Sequence, residues 1–296
     1  MTDTLPADAV VRDGRVTDAN AAFYERDGYL LAPDLLSPAE VASVRSEAAA
    51  ILRGERGGVE GLLNPDPDAS DDAVIARYNA IHFPHKISDT LRQFVTHPAI
   101  AGVLTRVVGP NVKCMQSMLF TKGPGKPGQS WHQDEYFIPT RDRSLTGVWI
   151  AVDDADEDNG CLWVVPGSHR DGVIRRRVDY DGDQFGDADT IGLTDAEEAA
   201  AVPVPVPSGG VLFFDGHLLH ASNRNTTSSR TRVALVHHVM SAESMLPWDN
   251  GGRTAPTNDN RDIVLVAGED PHAWKGTADL LAPFLRPDRM VHDDQH

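Results

Sequence analysis

The chain has 296 residues, 41% of them hydrophobic, and a formal net charge of −17. That length suits one large domain or two modest ones, and the apolar content is ordinary for a globular protein. The acidic balance argues against nucleic-acid binding, which needs a surplus of Lys and Arg to neutralise phosphates, and an acidic surface of this kind serves solubility first.

Residues 1–15 read as a loose tail, and 16–110 as a mainly helical part. A short helix is predicted over 17–28, stopped by Gly28. A second starts at Ser37, an N-cap followed by Pro38 in the first turn and by Glu40, which completes a capping box. Val41, Val44, Ala48, Ile51 and Leu52 then recur at helical spacing and mark a buried face. Residues 54–76 read as a surface loop, and further helical turns are predicted over 88–95 and 98–107. From residue 111 the pattern changes to short Val-, Ile-, Phe- and Trp-rich runs between Gly, Pro, Asn and Asp clusters. Strands are predicted over 112–121, 130–137, 145–152, 161–165, 202–206, 210–215, 218–222 and 231–240. The acidic stretch 171–200 reads as a binding loop with a helical patch near Asp195-Ala196-Glu197-Glu198. The expectation is a single domain over 1–296, mainly β with flanking helices, its double-stranded β-helix (jelly roll, cupin-like) core over 111–240 and a C-terminal extension over 241–296.

Two cysteines, Cys114 and Cys161, are too few for a disulfide framework or a thiolate zinc site. No apolar run is long enough to span a bilayer, and the first residues carry neither the basic nor the apolar region of a secretory signal. A cytoplasmic protein is expected, with a small-molecule partner, no nucleic acid and no membrane. Oligomeric state is not legible.

The chemistry gathers around Ser130-Trp131-His132-Gln133-Asp134-Glu135-Tyr136. In an extended strand, residues i and i+2 share a face, so His132 and Asp134 can reach one metal ion, and the distant His220 can close the triangle. Two His and a carboxylate with open positions form the facial triad of non-haem Fe(II) oxygenases. The same triad on a β-barrel also suits a zinc hydrolase or a non-catalytic ligand-binding jelly roll. A second His-x-Asp, His292-Asp293-Asp294, lacks a strand to hold it. His217 is near His220, but Ser222 follows His220 on the same face, which favours His220. His237 and His238 sit in an apolar strand, where one of them faces the core. Asn159-Gly160 and Pro166-Gly167-Ser168-His169 read as turns, with His169 stabilising the second. Arg230 and Arg232 precede the apolar run Val233-Ala234-Leu235-Val236 and offer a bidentate fork for a carboxylate.

Four stretches together resemble the phytanoyl-CoA dioxygenase family of Fe(II)- and 2-oxoglutarate-dependent oxygenases. They are Trp131-His132-Gln133-Asp134, the run from Asp153 through Asn159-Gly160-Cys161-Leu162, Val165-Pro166-Gly167-Ser168-His169-Arg170, and His220-Ala221-Ser222. Phe23-Tyr24-Glu25-Arg26-Asp27-Gly28-Tyr29 is similar to the family's opening. The resemblance implies His132, Asp134 and His220 as iron ligands, with Ser222 and a following Arg on the distal carboxylate of 2-oxoglutarate. The family spacing falls on Thr231 here. A one-residue insertion within 225–229 brings Arg232 into register, with Arg230 as the alternative. Gln116 and Trp149 resemble positions lining the cosubstrate pocket. The implied reaction uses Fe(II), 2-oxoglutarate and O2 to hydroxylate or otherwise oxidise a C–H bond, releasing succinate and CO2. Related halogenases have a small residue where Asp134 stands. Substrate contacts are expected from loops near 54–86, 138–144, 171–190 and 245–262, with Arg141, Arg143 and Arg175-Arg176-Arg177 as candidate anchors for an anion.

Overall fold

A computed structural model describes residues 5–64, 66–244, 263–276 and 281–286. The helical part follows the capping chemistry of the sequence. Helix α1 (Asp18–Asp27) opens on a capping box of Thr17 and Asn20 and ends at Gly28, in the left-handed region at φ 85°. Strand β1 (Tyr29–Ala32) leads to α2 (Pro38–Leu52), where the box of Ser37 and Glu40 forms and Val41, Val44, Ala48, Ile51 and Leu52 are all buried. Each of the Val, Ile and Leu side chains contributes roughly 1.5–3 kcal/mol by leaving water. Then come α3 (Asp71–Ala76), β2 (Ala80–His82), α4 (Asp89–Val95) and α5 (Pro98–Val107).

The β-rich part contains β3 (Val112–Lys122), β4 (Gln129–His132), β5 (Thr146–Ala151), β6 (Leu162–Val164), β7 (Val178–Asp179) and β8 (Asp189–Thr190). It continues through helix α6 (Asp195–Ala200), β9 (Val202–Val204), β10 (Val211–Asp215), β11 (His220–Ser222), β12 (Arg232–Ser241), β13 (Val264–Ala267) and β14 (Phe284–Leu285). A major sheet runs β1-β10-β5-β12-β3-β2-β14, with β13 also on β3, and a minor sheet runs β4-β11-β6-β9. Pairing is antiparallel, and the two sheets form the double-stranded β-helix. Along β12, Arg232, Val236 and His238 face the space between the sheets, as do Gln116, Met118 and Phe120 of β3. The alternate residues Val233, Leu235 and Leu119 belong to the main apolar core, and α3 and α5 pack against β3.

The structure departs from the sequence reading where strands are short or lie outside the β-rich region. Of the expected loose tail, Ala9, Val10 and Val11 are buried, and Val11 N–H bonds Leu31 O at 2.8 Å. β1 and β2 lie in the part read as helical, and β13 and β14 in the extension, yet all join the major sheet. β1 is buried at every position, so it shows no alternation by which to recognise it. Helix α3 lies within the expected loop 54–76, and the acidic stretch holds a β7–β8 hairpin besides the expected helical patch, α6. Among the described residues, no helix is long and apolar enough to cross a membrane. His292 and the loop 245–262 fall outside the described residues.

Candidate metal centre

The minor sheet sets two of the expected ligands side by side. His132 ends β4, His220 opens β11, and the antiparallel register pairs them directly, their ring centroids 4.1 Å apart. Asp134 arrives differently from the sequence expectation. The strand predicted over 130–137 stops at His132, and a 3-10 turn, Asp134–Tyr136, follows. Gln133 is nevertheless extended, at φ −127° and ψ 130°, so 132 and 134 keep the same-side projection of a strand. His132 Nε2 and His220 Nε2 each stand 3.6 Å from Asp134 Oδ1. The three ligand atoms lie within 4.8 Å of one another, and all three residues are buried.

Hydrogen bonds show that these groups suit a cation. Nδ1 of His132 lies 2.6 Å from Ser130 O, and Nδ1 of His220 lies 2.9 Å from Leu218 O. A carbonyl only accepts, so Nδ1 carries the proton in each ring, and Nε2 keeps its lone pair toward the shared point. The Gln129 amide donates to His132 Nε2 at 3.0 Å, consistent with that tautomer. On the far side, His238 Nε2 donates to Asp134 Oδ2 at 3.1 Å and fixes the carboxylate. Burial, then the neighbouring His220, holds the His132 imidazole well below its usual range and therefore neutral. Burial pushes Asp134 upward, but the adjacent His238, through its charge and its hydrogen bond, more than offsets it and holds the carboxyl below its usual range.

The cavity beside the triad has a volume of about 310 Å³ and reaches Arg232, Ser222, Gln116 and Trp149. Arg232 is 2% exposed. Its Nη2 donates to Gly160 O at 3.2 Å, and its guanidinium lies over the Trp149 ring, 5.3 Å from the centroid. Its Nε and Nη1 are buried with no hydrogen-bond partner. Burial pulls its pKa down to about 10, so it remains a cation at neutral pH. Lys122 is a neighbour that the sequence reading missed. Its Nζ donates to Ser222 Oγ at 2.8 Å and Asn223 O at 2.6 Å, and burial, then Arg232, pushes it well below the usual lysine range. Gly160 packs against it: at φ 84°, a Cβ there would fall 2.4 Å from Asn223 O and 2.8 Å from Lys122 Nζ. Gln116 lies with its amide 3.5 Å from His82 Nδ1.

Arg230, the alternative to Arg232, does not line the cavity. It precedes β12, so strand parity with Arg232 does not apply, and its half-exposed guanidinium pairs with Asp156 at 2.5 Å. The acidic run is structural: Asp153 Oδ2 accepts Val233 N–H at 2.9 Å, and Asp156 Oδ1 accepts the N–H groups of Asp158 and Asn159 at 3.1 Å. His217 stays off the triad, with Nδ1 3.8 Å from Asp215 and 4.0 Å from Glu135. His169 holds its turn to α1 through Nε2 and Glu25 O, 3.1 Å apart. His237 faces away into the core, where burial pushes it down to about 3. His238, read with His237 only as a residue of an apolar strand, instead supports Asp134. The signal was available, since it shares the parity of Arg232 on β12.

The family model of Phytanoyl-CoA dioxygenase (PhyH) matches residues 24–234. A Danio rerio protein, Phytanoyl-CoA dioxygenase domain-containing protein 1, is 27% identical over 267 residues, covering 77% of this chain and 91% of that one. The non-heme alpha ketoglutarate dependent carbocyclase SnoK from nogalamycin biosynthesis is similar in structure, with a TM-score of 0.61 and 24% identity over 90% of this chain and 98% of that one. The epimerase SnoN, solved in complex with Fe3+, alpha ketoglutarate and nogalamycin RO, gives a TM-score of 0.59 at 24% identity, covering 76% and 84%. At such identities the structural likeness carries the fold. The sequence match carries more, because it spans β4, β11 and the start of β12, the strands that bring the triad and Arg232 together. On that ground, the chain belongs to the phytanoyl-CoA dioxygenase family of non-haem Fe(II)- and 2-oxoglutarate-dependent oxygenases.

Proposed function

We propose that this protein oxidises an unactivated C–H bond of a small molecule, by hydroxylation or a related oxidation, consuming O2 and 2-oxoglutarate and releasing succinate and CO2. In this reading His132, Asp134 and His220 hold Fe(II). Arg232, with Ser222 and Lys122, receives the distal carboxylate of 2-oxoglutarate, and Gln116 and Trp149 line its flank. The single observation that carries the reading is the Arg232 guanidinium, buried beside the triad with two nitrogens unpaired. Leaving a buried charge without its partner costs about 3–5 kcal/mol, so the position makes sense if an anion completes it. A zinc hydrolase on the same triad would have no use for that cation.

When bound, iron and 2-oxoglutarate supply the oxidising power, and the protein supplies binding and orientation. The two Nδ1–H groups on backbone carbonyls aim both imidazoles before any metal arrives. Asp134 occupies the position that a halogenase leaves open, which favours oxidation over halogen transfer. Ser222 Oγ accepts from Lys122 Nζ and from Gln129 N–H at 3.2 Å, so its own hydrogen is available to an acceptor in the cavity. The Trp149 face keeps the Arg232 fork flat against the pocket wall.

Adding Fe(II) and 2-oxoglutarate without oxygen should produce a weak visible charge-transfer band, and admitting air should yield succinate. A folded protein with neither signal would refute the proposal.

A further inference from the structure

Past Asp134 the cavity continues into a chamber walled by His82 and Phe83, by Phe137 and Ile138, and by Leu281 and Phe284. The last pair comes from a C-terminal strap, residues 281–286, laid across the edge of the major sheet. Phe284 pairs with His82 in the β14–β2 ladder, and their rings stack with centroids 4.3 Å apart and planes 6° from parallel. The Phe83 ring lies 6.2 Å from Phe284. Phe83 holds a left-handed φ of 58°, a strained conformation for a bulky residue, and this strain sits on the chamber wall. Opposite, the Phe137 ring meets His132 edge-on at 6.0 Å, which brings the aromatic wall to the metal ligands.

The charges near this chamber are already committed. Beyond Asp134 and Arg232, the charged side chain among the described lining residues is Arg286, and it pairs with the buried Asp187. Asp187 also accepts Ser130 N–H at 2.7 Å, and Arg286 N–H donates to Ala80 O at 2.8 Å. The strap is thereby tied both to β2 and to the residue whose carbonyl holds His132. The arginines expected as anion anchors are spent or distant: Arg175 pairs with Glu197 at 2.6 Å, Arg177 with Asp189 at 2.8 Å, and Arg141, Arg143 and Arg176 are exposed and line no part of the cavity.

We propose that the substrate is an uncharged, ring-bearing apolar molecule, packed among Phe83, Phe137 and Phe284, with the strap as its selecting wall. A charged substrate would lose water there without gaining a counter-ion, and the net charge of −17 adds a long-range penalty for polyanions such as acyl-CoA thioesters. This rests on the oxygenase reading both for what is done to the substrate and for the occupation of Arg232, the cavity's unpaired cation, by 2-oxoglutarate.

The test is calorimetric titration with four aromatic probes of different charge: neutral 2-naphthol, anionic 2-naphthoate, cationic 2-naphthylmethylammonium and polyanionic benzoyl-CoA. The protein is loaded anaerobically with Fe(II) and 2-oxoglutarate, and the charge-transfer band is recorded first. 2-Naphthol should bind saturably and at least about tenfold more tightly than any charged probe. Phe284→Leu, which keeps apolar bulk but loses the ring, should weaken 2-naphthol about tenfold, whereas Phe284→Tyr should retain it within about threefold. No saturable binding, a charged probe bound as tightly, or an unchanged affinity in Phe284→Leu overturns the proposal. Absence of the band bears instead on the oxygenase reading. The naphthol isotherm and its response to Phe284→Leu, repeated without metal, report on the aromatic wall independently of that band.

Discussion

At the metal end of the cavity, each ligand is already held by the protein: His132 by Ser130 O, His220 by Leu218 O, and Asp134 by His238. At the end proposed for the cosubstrate, Arg232 is buried with Nε and Nη1 unpaired, on a ring that gives it orientation but no counter-charge. The difference is chemical. Neutral imidazoles and a carboxylate fixed by His238 satisfy one another while still presenting lone pairs, so a cation site can be built in advance at little cost. A site for a dicarboxylate needs uncompensated positive charge out of water, and that charge is satisfied only when the anion arrives. One end is complete as folded, and in the proposed reading the other is completed by its ligand.

This contrast can be broken by substitution. The largest effect is expected from Asp134→Ala, which should cut succinate formation by more than about 100-fold, beyond the loss typical for a metal's supporting partner. Circular dichroism should show the fold retained, and turnover near wild type would remove Asp134 from the metal site. Next, Arg232→Met should raise the 2-oxoglutarate KM about 100-fold, the scale of a lost charge-assisted fork. Its melting temperature should not fall, because an unpaired buried charge has been replaced by apolar bulk. A drop of several degrees would mean that Arg232 completes the fold rather than a ligand site. His238→Ala should weaken Fe(II) binding about tenfold while leaving 2-oxoglutarate affinity in the metal-loaded state close to wild type, as followed by titration of the charge-transfer band. Equal losses at both ends would erase the distinction. The smallest effect belongs to Arg230→Ala: its exposed pairing with Asp156 should be worth less than about 1 kcal/mol in chemical denaturation, with turnover unchanged.

Much of the site was legible because its residues lie on short local patterns. His132 and Asp134 sit two apart around an extended residue, so their shared face survives even though the strand ends between them and a 3-10 turn begins. Ser222 follows His220 by the same step on β11. Lys122 was not singled out, and His238 was read only as a strand residue, because each acts across sheets, Lys122 on Ser222 and His238 on Asp134; parity puts His238 on the cavity face but does not show the carboxylate it meets. The strap was equally hidden. β14 has two residues, too few for any periodicity, and its role comes from the ladder it makes with β2.

The sequence by itself determined the elements that answer to local chemistry: the stop of α1 at Gly28, the capping box at α2, the turn at Gly160, the change from helical to strand-rich pattern, and the metal motif with its distant histidine. Tertiary structure alone sets Arg230 apart from Arg232. The two share a residue type and stand two positions apart, but one lies before the strand in water beside Asp156 and the other is carried by β12 into the space between the sheets. Burial and pairing are properties of what surrounds a side chain in space, and an isolated sequence specifies those surroundings only once its strands have found their partners.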